Sequence, residues 1–165
     1  MTYERFEELP VWKSAIELAK QTFTMTAKPA FKGHFSLKDQ IERAAVSVSS
    51  NIAEGFERGT TQELLTFLYV ARGSAGEVRS LLCLLDVLPG FTDLKSEISN
   101  LKSTAEGISR QSRAWANSLQ ESGIKGQRYL TDKTRRAAQS AKERKEFLER
   151  IARIRKEAAG NHGQM

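Results

Sequence analysis

Apolar positions recur at three- and four-residue intervals along most of this chain, and each such run ends at proline, glycine or a short polar link. That rhythm is the signature of amphipathic helices. The clearest run is Ser36 to Glu57, where Leu37, Ile41, Ala44, Val48, Ile52 and Phe56 fall on one face. Ala45, Val46, Ser49 and Ala53 make a second, smaller-sided surface beside it, so this helix is expected to sit between neighbours, with Ser36 as its N-cap. Before it, Phe6, Leu9, Trp12, Ile16, Ala19 and Phe23 predict a helix from about Leu9 to Thr26. The link KPAFKGHF carries Pro29 and Gly33, and its Phe31 and Phe35 are expected to cover the end of the core.

Thr60 followed by Glu63 fits a capping box that opens a third helix, running to about Leu88 and stopped by Pro89-Gly90. Leu64, Leu68, Ala71, Ala75, Val78, Leu82 and Leu85 form its seam, alternating by four and three as in bundles. Phe67, Tyr69, Val70, Leu81, Leu84 and Leu88 lie outside that seam, an apolar excess that predicts contact with another subunit. Inside the helix, RGSAGE at 72–77 holds two glycines, each costing about 0.8–1.0 kcal/mol relative to alanine, and close helix approach is the expected compensation. Thr92 is expected to cap a fourth helix through Leu94, Ile98, Leu101, Ala105, Ile108, Ser112, Trp115 and Leu119. The short link from Pro89 to Phe91 makes the third and fourth helices antiparallel neighbours. The expected fold is all-α: an antiparallel up-down-up-down four-helix bundle over residues 1–121, with a basic helical extension over 122–165.

Composition adds a few exclusions. No apolar run approaches the roughly 18 residues of a membrane span, and MTYERFEELPVW lacks the apolar centre of a secretory signal, so a soluble, cytoplasmic protein is expected, with no membrane partner. His34 and His162 are too few for a metal cluster, and no cofactor motif is present; the glycines at 73 and 76 follow no strand and lack the lysine-serine ending of a phosphate loop. The single cysteine, Cys83, stands among Leu81, Leu82, Leu84 and Leu85 and is expected to be a buried thiol.

Charge changes the picture more. Residues 1–121 hold 14 Lys and Arg against 15 Asp and Glu, a net of −1, whereas residues 122–165 hold 12 against 5, a net of +7. Attraction for a polyanion therefore centres on the extension, beyond the break at Gly123 and Gly126. Lys125, Arg128, Lys133, Arg135, Arg136, Lys142, Arg144 and Lys145 are its candidate nucleic-acid contacts, and Glu146 to Arg150 and Glu149 to Arg153 are favourably spaced ion pairs. A solvated charged helix or a partly disordered extension is the plainer account of the same residues.

Within the bundle, Asn51, Glu54, Arg72 and Glu77 are expected to form one polar network joining the second and third helices. Glu54 and Glu77 would serve as acid and base only if a cleft gathered them with Arg72, and no nucleophile or metal set accompanies them. Ser47, Ser49 and Ser50 read as small helix-face residues.

Several of these residues carry a family resemblance: Leu9-Pro10-Val11-Trp12; Phe35-Ser36-Leu37 with Gln40 and Ala44-Ala45; Ser47 and Asn51-Ile52-Ala53-Glu54-Gly55; and Phe67, Ala71, Gly73-Ser74 and Glu77. From Phe6 to about Leu119 the chain resembles the small four-helix bundle proteins encoded within intervening sequences of bacterial 23S ribosomal RNA genes. It is similar, more distantly, to the accessory variability proteins of diversity-generating retroelements. The resemblance implies a cyclic homo-pentamer, and the retroelement relatives imply a reverse transcriptase partner and nucleic-acid binding through basic surfaces. The extension after Glu121 departs from the family's compact form. The functional expectation is a non-enzymatic, homo-oligomeric accessory protein that binds DNA or RNA without a cofactor. A structural protein-interaction module is the alternative, and an enzyme using a glutamate-containing cleft ranks below both.

Overall fold

The computed structural model describes residues 3–123, 126 and 132–161, and in the last helix the side chains of residues 139–153. Five α-helices and no strand occur among them: α1 Pro10–Thr26, α2 Phe35–Glu57, α3 Thr61–Val87, α4 Lys95–Glu121 and α5 Asp132–Asn161. The chain divides into two compact units, Met1–Gly126 and Gln127–Met165. In the first, α2 packs on α1 and α3, and α4 packs on α3 and α1, around one hydrophobic core. Contacts along α2 and α3 pair Gln40 with Glu77, Ser47 with Ser74, and Gly55 with Leu64 and Phe67, so these helices run in opposite senses. Arg72 with Ser109, and Asp86 with Lys95 and Lys102, show the same of α3 and α4.

The seams of α2, α3 and α4 turn inward largely as their spacing predicts, with Ile41, Val48 and Ile52, then Ala71, Val78 and Leu82, then Ile98, Ala105 and Ile108 fully shielded. α1 differs from expectation. Its buried stripe is Val11, Ala15, Leu18, Thr22 and Met25, while Ile16 and Phe23 are 40% and 47% exposed. Two apolar stripes lie side by side on this helix, and the one facing the groove between α2 and α4 becomes core. Buried Thr22 is satisfied by donating its hydroxyl to the Leu18 carbonyl at 2.8 Å.

The links refine the expectations further. α2 starts at Phe35 with His34 in the cap position and no side-chain cap bond, so Ser36 lies inside the first turn. Phe31 is buried edge-on against Phe91, with ring centroids 4.9 Å apart, but Phe35 is 74% exposed; only one of the two covers the core. The Thr60 cap forms as predicted: its oxygen accepts the Glu63 N–H at 3.2 Å and its hydroxyl donates to the Glu63 carboxylate at 2.6 Å. Thr92 does not cap α4. Residues Pro89–Leu94 wind into a 3-10 turn, Leu94 takes the cap position, and the Thr92 hydroxyl donates back to the Pro89 carbonyl at 2.8 Å. Cys83 is exposed, contrary to expectation: helical rotation of about 100° per residue swings it outward from the buried Leu82.

Two glycines explain close approaches. A Cβ on Gly55 would lie 2.6 Å from the Phe67 Cβ, so the α2–α3 contact is set by backbone proximity at that end. Gly126 has φ +108 and sits on the α2–α3 turn, where a Cβ would meet the Gly59 carbonyl oxygen at 2.6 Å. Gly126 is thereby seated against Thr60 and Thr61 at the start of α3. A Cβ on Gly73 or Gly76 would meet nothing within 4 Å, so, contrary to expectation, packing inside the chain does not compensate them.

Candidate nucleic-acid interface

The four residues expected to form one network are placed in separate contacts. Half-buried Asn51 donates its side-chain N–H to the Ser47 carbonyl at 2.7 Å and to Ser47 Oγ at 2.9 Å. Ser47 Oγ lies 2.9 Å from Ser74 Oγ across the helix contact, and Ser74 donates to the Val70 carbonyl at 3.2 Å. With Ser74 donating to Val70, Ser47 must donate to Ser74, and the protons run in one direction from Asn51 to α3. Ser47 and Ser74 thus join α2 to α3 beside Asn51, as Gln40 and Glu77 do nearer the start of α2. A signal for Ser47 existed in the sequence: it stands four residues before Asn51, one helical turn away on the same face.

Glu54 is exposed and bonds Arg58 at 2.6 Å within its own helix end. Arg58 also approaches Glu63 at 3.6 Å and lies over the Phe67 ring, 5.2 Å from its centroid. The hydrogen bond that Arg58 donates to Glu54, reinforced by the carboxylate's charge, holds the Arg58 guanidinium above its ordinary pKa. Glu77 accepts from Gln40 at 3.3 Å, and Arg72 turns to α4 to reach Ser109 at 3.4 Å. Because Glu77 lies beside Gln40, it is 14 residues along α2 from Glu54, or about 21 Å at 1.5 Å per residue. An acid–base pair must reach one substrate within hydrogen-bond distance, so this separation corrects the idea that both serve a single cleft.

Apart from Lys125, which falls in the first unit, the basic candidates belong to the second. Lys125 and Arg128 lie outside the described residues; Lys133, Arg135 and Arg136 fall in the first turns of α5, and their side chains lie outside the described set. Lys142, Arg144 and Lys145 are exposed along α5. Lys142 stands 3.9 Å from Glu146 and Lys145 stands 4.0 Å from Glu149. The carboxylates therefore reach back toward lysines one turn earlier rather than forward to Arg150 and Arg153, the weaker order for a helical ion pair. With lysine side chains 72% and 80% exposed, these contacts leave the ammonium groups hydrated and accessible. Arg144 is turned about 200° from Lys142 and borders a narrow strip of Ala141, Leu148 and Ala152. Phe147 and Leu148 are 62% and 55% exposed on this helix.

A family model described as 23S rRNA-intervening sequence protein matches residues 7–114. The chain belongs to this family. The match spans α1 to α3 and most of α4, so the family residues Asn51, Ser47 and Ser74 lie inside it and α5 lies wholly beyond it. No curated protein matches the chain. Among the described residues no helix is long and apolar enough to cross a membrane.

Proposed function

We propose that this family member is a non-enzymatic, homo-oligomeric accessory protein of the cytoplasm that binds DNA or RNA through α5. Its first four helices would form an up-down-up-down bundle that assembles the oligomer. The observation that carries the reading is the partition of charge: −1 over residues 1–121 against +7 over 122–165, with Lys142, Arg144 and Lys145 exposed. Contacts of this kind are to phosphate, release counterions and select little sequence. The distant similarity to retroelement accessory proteins makes a reverse transcriptase the candidate protein partner, and the family resemblance suggests five copies. Full-length chain and residues 1–126 titrated with single-stranded and duplex nucleic acid at two salt concentrations test the interface. The full chain should bind with a steep loss at the higher salt, and 1–126 should bind at least tenfold more weakly. Equal binding by both would move the surface to the bundle, and salt-independent binding would refute phosphate contact.

A protein-interaction module is the second reading. It is favoured by the exposed outer face of α3, where Tyr69, Val70, Leu84 and Val87 meet solvent.

A further inference from the structure

Spacing along α5 offers Arg150 and Arg153 as partners for Glu146 and Glu149, but the structure gives those carboxylates to Lys142 and Lys145. Arg144 and Arg150 are left exposed, and neither makes an ion pair among the described residues. Between them stands Phe147, 62% exposed. Each arginine is three positions from Phe147, so it lies about 60° to one side of that residue and about 4.5 Å along the helix axis. Neither guanidinium covers the ring: among the described residues the arginine that lies over a ring is Arg58, on Phe67. Nor does another ring pack on Phe147 among them.

The carboxylates of this stretch are turned away or engaged. Glu146 and Glu149 lie about 100° and about 160° round the helix from Phe147, each beside its lysine. Glu143 is about 40° away, and the Gln139 amide donates to it at 2.7 Å. What remains on this side is an open aromatic ring between two planar cations. A guanidinium matches a phosphate with two parallel hydrogen bonds, and a phenyl face matches the π-face that any base presents. An anionic bilayer fits the same side less well. A helix lying in a lipid surface keeps charge off its apolar face, whereas Arg144 stands between Ile151 and Leu148, about 20° from one and about 40° from the other.

From this arrangement we infer that α5 selects single-stranded over duplex nucleic acid, with one unpaired base stacked on Phe147 and the phosphates on either side held by Arg144 and Arg150. The inference rests on the nucleic-acid reading above and specifies the strand class and the residue that selects it. Phosphate contact alone favours the duplex, which carries the denser charge. A stacked base reverses the preference, because base pairs in a duplex already cover one another's faces. Every base has such a face, so the site reads strand state and not sequence.

Two full-length variants test this against wild type, with single-stranded and duplex oligonucleotides of one sequence at several salt concentrations. Phe147→Leu keeps apolar bulk and helix propensity but removes the ring; it should weaken single-strand binding about tenfold and leave duplex binding unchanged. Arg144→Gln/Arg150→Gln should weaken both and reduce the single-strand salt slope by about 1.4, the share of two phosphates. A 2-aminopurine base in the single strand should be quenched by wild type and not by Phe147→Leu. Circular dichroism and light scattering check that both variants keep wild-type helicity and mass. Wild type that binds neither oligonucleotide would overturn the nucleic-acid reading itself. Wild type that binds, with Phe147→Leu unchanged on the single strand or equally weakened on both, would overturn the stacking alone. A Phe147→Leu protein of lower mass would place the ring between copies of the chain, and one that keeps single-strand binding but loses binding to phosphatidylserine vesicles would give the ring to a lipid surface; either result would overturn the inference.

Discussion

Replacing Gly55 by alanine sets two known effects against each other. Alanine favours the helix by about 0.8–1.0 kcal/mol. Against this, the new methyl would lie 2.6 Å from the Phe67 Cβ and 3.4 Å from the Leu64 Cα. Carbon atoms rest at about 3.5–4.0 Å, so α2 and α3 must separate by about 1 Å there. The obstacle is a Cβ, fixed to its backbone, and no rotamer change moves it. Overpacking of this kind costs about 1–3 kcal/mol, and the anchored neighbour places the cost in the upper part of that range. The net expectation is destabilisation by about 1–2 kcal/mol, a fall in Tm of about 2–8 °C for a chain of this size. Gly107→Ala in α4 is the control, since a Cβ there meets nothing within 4 Å. It should raise Tm by about 2–4 °C from propensity alone. Thermal unfolding followed by circular dichroism measures both. A Gly55→Ala protein as stable as wild type would refute the claim that backbone proximity sets this end of the α2–α3 contact.

Thr60→Ala removes the cap of α3 and should cost about 1 kcal/mol in urea unfolding, with the m-value unchanged; no loss would mean the Glu63 N–H is satisfied otherwise. Asp86 is held below its ordinary carboxylate range by hydrogen bonds from Lys95 and then Lys102, with their charges adding to the effect. A depressed folded pKa contributes stability that is present above the ordinary value near about 3.9 and lost as pH falls through the lower folded value. Wild type should therefore lose more Tm than Asp86→Asn between about pH 6 and about pH 2, and parallel profiles would count against the pairing.

Apolar periodicity, with the proline and glycine links between the runs, located α1 to α4 to within a few residues, because α-helical hydrogen bonding is local and an apolar stripe shows at fixed spacing. The Thr60–Glu63 cap was equally legible, its partners lying within one turn. What periodicity could not decide was which of two adjacent stripes turns inward. On α1 the stripe with Ile16 and Phe23 is as apolar as the one with Val11, Leu18 and Met25, and the positions of α2 and α4 made the choice. Rotation along α3 likewise put Cys83 outside although its sequence neighbours Leu82 and Leu85 are core.

Polar contacts were less legible still. Asn51, Glu54, Arg72 and Glu77 are near in sequence pattern but part in space, since a side chain bonds whatever its neighbouring helix presents at that height. Only the meeting of α2 with α3 brought Ser47 to Ser74, and only the proximity of Phe67 gave Gly55 its reason. The charge imbalance of the extension needed no structure, because net charge is a sum over residues. The open space around Gly73 and Gly76 did, because a glycine's letter is the same whether its missing side chain makes room for a neighbour within the chain or for one outside it.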